Sequence, residues 1–341
     1  MITYPRGSVH AILSVVLAIT MLLSCNTKDS TEQTTEQTTP MAAAPIFNAD
    51  SAYAFVEKQV AFGPRVPNTK AHKQTGDYLV ATLKRFGFAV TEQKFVATTY
   101  DGKKLNARNI IGTYQPQAAK RIMLAAHWDS RPFADEDSTH KTQPVLGAND
   151  GASGVGVLLE IARVLHGAKN QPNLGVDIVF FDVEDWGKAG EATDAYAGFC
   201  LGSRYWAENR HVPNYTAYFG ILLDMVGAKN ATFPKEGYST KNAGEVVRTV
   251  WNTASQLGYS TYFIDQQGPA ITDDHVPVNE IAKFPMIDII HTRVNDLSRT
   301  FFDDWHTTKD DMRNIDPKTL KAVGQTILQV LYNEGSESVS L

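Results

Sequence analysis

Cysteine is nearly missing: Cys25 and Cys200 are the only two in 341 residues. Two thiols cannot build a disulfide framework or a cysteine-rich zinc site. A basic excess is missing as well. The 32 Lys and Arg residues stand against 37 Asp and Glu, a formal charge of -5. Nothing here would hold a phosphate backbone, so nucleic acid is not an expected partner. No apolar run approaches the ~20 residues that a membrane-spanning helix needs. What is present is ordinary for a folded chain with a sizeable core: 43% hydrophobic and 20% charged residues. The length suits one large α/β domain or two modest ones. No strong linker interrupts residues 46–334, which read as a single domain followed by a flexible tail, 335–341.

The N-terminus reads as an address. Arg6 is followed by the apolar run Ala11 to Leu23, too short to span a bilayer but suited to the core of a signal peptide. The run ends in Leu22-Leu23-Ser24-Cys25, which resembles a bacterial lipobox. That resemblance implies removal of residues 1–24, lipidation of Cys25, and an exported protein anchored to a bacterial membrane, facing the periplasm or the cell surface. Asn26 to Ala44 is Thr- and Gln-rich and contains TEQT twice in succession. It has almost nothing to bury, so residues 25–45 are expected to form a lipidated, disordered tether. With Cys25 carrying lipid, Cys200 reads as a small buried hydrophobe.

Within 46–334, amphipathic and continuous apolar segments alternate. Helices are expected at Ala49–Val60, Lys70–Phe86, Gly154–Leu165, Asn242–Leu257 and Pro317–Tyr332. Strands are expected at Phe88–Thr98 and Asn109–Tyr114. Four nearly continuous apolar runs read as buried strands: Arg121–Ala126, Val176–Val183, Ala217–Met225 and Met286–Ile290. The fold class is therefore α/β, a central, mostly parallel, twisted sheet with helices on both faces.

In such sheets ligands bind beyond the carboxyl ends of the strands, and these runs end in acids or histidine. RIMLAA leads into His127-Trp128-Asp129, and VDIVFF into Asp182-Val183-Glu184-Asp185. GILL leads into Asp224, and MIDII into His291. Asn149-Asp150-Gly151, Asp273-Asp274-His275 and Trp305-His306-Thr307 add three loop clusters, while Lys309-Asp310-Asp311 reads as a solvated helix start. One acid at a strand end is usually a turn or capping residue. Many at one edge would repel each other and hold protons unless a cation sat among them. Asp, Glu and His without Cys suit a catalytic Zn²⁺, with three protein ligands and an open position.

The series HWD, GANDGASG, FFDVED, LLDM and WHTTKDD resembles the co-catalytic zinc aminopeptidase superfamily. FGPRVPNTKAH, LGSRYW and DDHVPV bring it closest to the animal-type glutaminyl-peptide cyclotransferases, over roughly residues 50–333. The resemblance implies one Zn²⁺ held by Asp150, Asp185 and His306, with Glu184 as general acid/base. It further implies Asp224 and Asp274 as hydrogen-bonded carboxylate partners, with His291 behind them. Phe301 and Trp305 would line the substrate pocket, and Trp186 joins them by adjacency. The implied reaction is cyclisation of N-terminal glutamine to pyroglutamate with release of ammonia. Its partners would be peptides or proteins with N-terminal Gln, and the membrane only through the anchor. Three departures stand out: Asp185 where the animal enzymes have Glu, Ala126 and Val155 where they carry a disulfide, and a longer stretch from His291 to Phe301. The main rival is a dizinc aminopeptidase, in which His127 and Asp224 bind a second metal bridged by Asp150. A metal-free binding lipoprotein would need a broken ligand set, and none of these positions is broken.

Overall fold

In the computed structural model, residues 41–188, 196–294 and 300–336 are described. Six strands form one sheet: β1 (Ala89–Thr98), β2 (Lys104–Tyr114), β3 (Arg121–His127), β4 (Gly175–Phe181), β5 (Phe219–Asp224) and, after two short strands, β8 (Met286–Ile290). Their order is β1-β2-β4-β3-β5-β8. The four strands β4, β3, β5 and β8 run parallel, whereas β1 and β2 form an antiparallel hairpin that adds to β4 antiparallel. The two short strands, β6 (Phe233–Lys235) and β7 (Phe263–Gln267), pair apart from the sheet. The mostly parallel α/β architecture expected from the apolar runs is the one observed.

Side-chain alternation explains why those runs are continuous. Ile122, Leu124 and Ala126 of β3 face the larger core, and Met123 and Ala125 the smaller one. β4 repeats this with Val176, Ile178 and Phe180 against Val179 and Phe181. A strand buried on both faces has no polar side to show. Asp177 is the exception, fully buried within β4. The Arg121 guanidinium meets both its carboxylate oxygens at 2.8 and 2.9 Å, and the Tyr215 hydroxyl donates to it at 2.8 Å.

The larger core is roofed by α1 (Ala49–Val60), α2 (Lys70–Arg85), α3 (Ala152–Gly167), α5 (Gly237–Gln256) and α7 (Pro317–Ser336). The smaller one is closed by α4 (Leu201–Glu208), through Trp206, and by the π-turn 278–282 that continues the single turn α6 (His275–Pro277). Local chemistry sets the helix ends. The side chains of Asn48 and Thr69 cap α1 and α2 by accepting from Ser51 and His72 N–H. Gly87, at φ +77°, stops α2, and the Phe88 N–H returns to the Leu83 carbonyl.

Some boundaries differ from the sequence expectation. β2 starts at Lys104 rather than Asn109, because residues 104–108 pair with β1 across a turn containing Gly102. An added piece, residues 237–242, capped by Glu236 accepting from Tyr238 and Ser239 N–H, joins the expected helix across a kink at Ala243 to make α5. The tether was expected to run through residue 45. Instead Ala42 exchanges hydrogen bonds with Asn333 and Gln329 of α7, and the Phe47 ring lies against Gly324. The Gly324 site has no room for a Cβ, which would fall 2.1 Å from that ring. Residues 1–40, with Cys25, and 337–341 lie outside the described residues. No described helix is long and apolar enough to cross a membrane.

Glu236 gives the fold a titratable stake. Burial pushes its carboxyl up, but His275, Ser239 and the Ile271 N–H outweigh that and hold it at about 2. A depressed folded pKa stabilises above the unfolded value, about 4.3, and the gain is lost as pH falls through about 2. Glu236→Gln is expected to lower unfolding free energy at pH 7 by about 1–3 kcal/mol. Its urea midpoint should converge on that of the wild type between pH about 4.3 and about 2. A gap independent of pH would assign the loss to packing.

Candidate active site

The carboxyl ends of four adjacent parallel strands deliver His127 (β3), Asp182 to Asp185 (after β4), Asp224 (β5) and His291 (after β8) to one edge. Two groups of potential ligands form there. Asp150, Asp185 and His306 each place a ligand atom within 4.8 Å of the others, as do His127, Asp150 and Asp224. Asp150 belongs to both.

The first trio has the wiring of a metal site. His306 Nε2 lies 3.2 Å from Asp185 Oδ1 and 3.7 Å from Asp150 Oδ2. Its other nitrogen, Nδ1, faces Asp135 Oδ1 at 3.4 Å. A ligating histidine commonly donates its second ring N–H to a carboxylate, which fixes the tautomer and the ring plane. Asp185 Oδ2 is buried without a hydrogen-bond partner. Two buried carboxylates and an imidazole converge on one point, a donor set that fits Zn²⁺. Burial depresses the His306 imidazole, but the charges and hydrogen bonds of Asp185 and Asp135 overcome it and bring it to about 9. The same crowding of carboxylates would favour a cation bound among them.

Several backbones are bent to make this meeting possible. Val183, Met225 and His306 all sit at positive φ, +55°, +51° and +54°. For β-branched Val183 that conformation is a genuine outlier, and such strain clusters at functional sites. It turns the chain sharply at the end of β4, so Glu184 and Asp185 both enter the site. The Asp129 carboxylate locks the turn by accepting from Glu184 N–H at 3.0 Å and Asp185 N–H at 3.2 Å. Asp310 does the same for the ligand loop, accepting from Asn149 and Asp150 N–H at 2.8 and 3.0 Å. Asp310 is thus fully buried and not the solvated helix start read from sequence. Arg65 closes the frame with donations to the carbonyls of Trp128, Gly147 and Asp150. Arg131 donates to the carbonyls of Asp185 and Gly187. Asp129, Asp310, Arg65 and Arg131 received no role from the sequence. HWD, KDD and FGPR did contain three of them, but spacing alone does not say which loop a buried charge will hold.

A cavity of about 360 Å³ opens onto the trio. Its acidic floor is Asp150, Glu184, Asp185, Asp224 and Asp273, and its walls include Tyr196, Ile271, Phe301 and Trp305. The Trp305 ring stacks on His306 at 3.6 Å and meets Phe301 at 4.6 Å. Three sequence expectations need correction. Asp273, not Asp274, lines the cavity. The Asp274 carboxylate turns away and accepts from Ser203 Oγ at 2.5 Å, while its backbone N–H donates to Asp273. His291 stacks on Phe302 and borders a separate hollow with Lys229 and Asp304. Trp186 is packed with Val183, Leu105 and Phe133 behind the site. For Trp186 the turn at Val183, at φ +55°, is where adjacency in sequence fails. Residues 295–299 of the longer stretch after His291 lie outside the described residues.

Burial is the largest cause raising the carboxyls of Glu184, Asp224, Asp273, Asp274 and Asp288. His127 opposes the shift at Glu184, while Asp185, Asp273 and Asp274 add to it, and the group ends well above its ordinary value. Asp273 rises to about 7. Acids this crowded share protons rather than all ionise. Cys200, expected as an inert hydrophobe, is buried but touches the cluster. Its Sγ is 3.6 Å from Glu184 Oε1, and its N–H donates to the Glu184 carbonyl at 2.9 Å.

Residues 109–331 match the model of "Peptidase family M28". The chain belongs to that family. Among solved structures it is similar to a Bacteroides thetaiotaomicron glutaminyl cyclase bound to N-acetylhistamine: 52% identity, 85% of this chain and 99% of that one, TM-score 0.81. A Porphyromonas gingivalis glutaminyl cyclase is 50% identical over 86% of this chain and 100% of that one, TM-score 0.82. A Zn-dependent exopeptidase from Parabacteroides distasonis is 55% identical over 85% of this chain and 100% of that one, TM-score 0.82.

If Asp135 orients His306, Asp135→Ala should weaken zinc binding about 10- to 100-fold in competition with a chelator, with the fold's circular dichroism unchanged. Unaltered zinc affinity would remove Asp135 from that role.

Proposed function

We propose that this M28 member cyclises N-terminal glutamine of peptides to pyroglutamate, releasing ammonia. The observation that carries the reading is whole-domain similarity, at about half identity, to two glutaminyl cyclase structures. The aromatic-walled cavity ending on Glu184 and the ligand trio agrees with it. Asp150, Asp185 and His306 would hold one Zn²⁺, which supplies Lewis-acid stabilisation of charge developing on the substrate amide oxygen. Glu184 takes a proton from the attacking α-amine and returns it to the departing nitrogen, so one carboxyl acts as base and then acid. A carboxyl raised by burial suits both halves of that task. Asp224 and Asp273 face the same cavity, accept the hydrogens of the amine and share the cluster's protons. Trp305 and Phe301 fold the short side chain back towards its own amine, which supplies the orientation that an intramolecular attack needs.

The second reading, a dizinc aminopeptidase, is favoured by one observation: His127 Nε2 lies 3.0 Å from Asp150 and 3.2 Å from Asp224. The Leu-Ser-Cys25 motif supports export and lipid anchoring at Cys25, which places the enzyme outside the cytoplasm among exported or environmental peptides.

Incubation with Gln-Ala and Leu-Ala peptides separates the readings by product mass. Ammonia loss from the first with the second intact is expected; release of free leucine would install the aminopeptidase and make His127 a ligand. Glu184→Gln should keep its zinc and lose turnover by about 10² or more, whereas His306→Ala should lose zinc. A Glu184→Gln enzyme of near-normal rate would take that residue out of the chemistry. N-acetylhistamine should compete with the Gln peptide, and Trp305→Ala should weaken that competition about tenfold or more. Equal inhibition of both proteins would place the compound elsewhere.

A further inference from the structure

Glu184, Cys200 and Asp273 form a third convergent group, sharing no residue with the zinc trio. Each offers a ligand atom, and the three atoms lie within 4.8 Å of one another. We propose that this trio is an inhibitory metal site, which takes a thiophilic divalent cation, Cd²⁺ or Zn²⁺ in excess, and ties up the general base.

The geometry supports it in three ways. Zn–S and Zn–O bonds of about 2.3 and 2.1 Å at a tetrahedral angle hold sulfur and oxygen about 3.6 Å apart. Cys200 Sγ and Glu184 Oε1 are 3.6 Å apart already. Asp273 is 4% exposed, and its Oδ2 has no hydrogen-bond partner although the residue lines the cavity. Glu184 and Asp273 line the cavity, and Cys200 has no exposure of its own. A dehydrated ion reaches the sulfur through the substrate's path, and it inhibits by holding the Glu184 carboxylate. No redox change is involved. The S–H proton leaves to solvent, and the sulfur lone pair forms the metal bond. A thiolate beside two carboxylates selects soft or borderline cations over Mg²⁺ and Ca²⁺.

The inhibition rests on Glu184 being the base, whereas the binding does not. Full-length, zinc-loaded protein would be titrated with Cd²⁺ while the ultraviolet thiolate-to-cadmium band and Gln-peptide turnover are followed together. Wild type, Cys200→Ala and Cys200→Ser would be compared, each against its own cadmium-free rate. Cys25 is common to all three, so the difference spectrum reports Cys200. The wild type is expected to gain the signal of one further thiolate and to lose turnover in step. Both variants should lack that signal and need about tenfold or more Cd²⁺ for half-inhibition. Identical bands and inhibition curves in wild type and variants would overturn the site. A Cys200-dependent band with unchanged turnover would keep the metal site and instead refute Glu184 as the base.

Discussion

Like charge in a confined space is the constraint from which the active site follows. Asp150, Glu184, Asp185, Asp224 and Asp273 share one cavity floor, and burial weakens the screening that bulk water would give them. Such a cluster has two ways to persist: some members keep their protons, or a cation sits among them. The two parts of the cluster differ in their partners. Around Glu184 the carboxyls are raised and share protons, while around Asp150 and Asp185 the ligands close on His306 and leave an oxygen of Asp185 unpartnered. One cluster thereby provides a proton reservoir beside a metal seat.

Holding that arrangement falls to groups that never face the substrate. Asp129 and Asp310 accept from the N–H groups of the two ligand-bearing loops. Arg65 and Arg131 take the carbonyls on the other side. Each loop is thus gripped through its backbone, and Arg131 also reaches the Asp185 carboxylate at 3.3 Å. The positive φ of Val183 lies directly before the N–H groups that Asp129 holds.

The parallel strands were legible because they are buried on both faces, and short apolar runs such as VDIVFF, bounded by polar residues, fit that place. The four strand-end clusters of acid and histidine were legible because strand direction decides which edge they reach. Assignments within a turn were not. Asp273 and Asp274 are neighbours, and which of them faces the cavity depends on Ser203, seventy residues away in sequence. Trp186 follows a ligand directly, yet the reversal at Val183 carries it into a rear cluster. Asp310 sits in a run that looks solvated, and only the Asn149–Asp150 loop folding over it explains its burial. The polar segments around β6 and β7 lacked a pattern because they form short strands outside the main sheet.

Trp305 and His306 are adjacent in sequence and stacked in space at 3.6 Å. On the proposed function, a pocket wall and a metal ligand would then sit on adjacent, stacked residues. A change to the indole would remove a packing partner of the imidazole, so substrate choice and ion binding would be coupled at that position. Divergence in what the enzyme accepts is channelled to Tyr196, Ile271 and Phe301, walls that carry no ligand. Across relatives of this chain, substrate preference should drift on that side of the cavity while the Trp-His pair stays fixed as a unit.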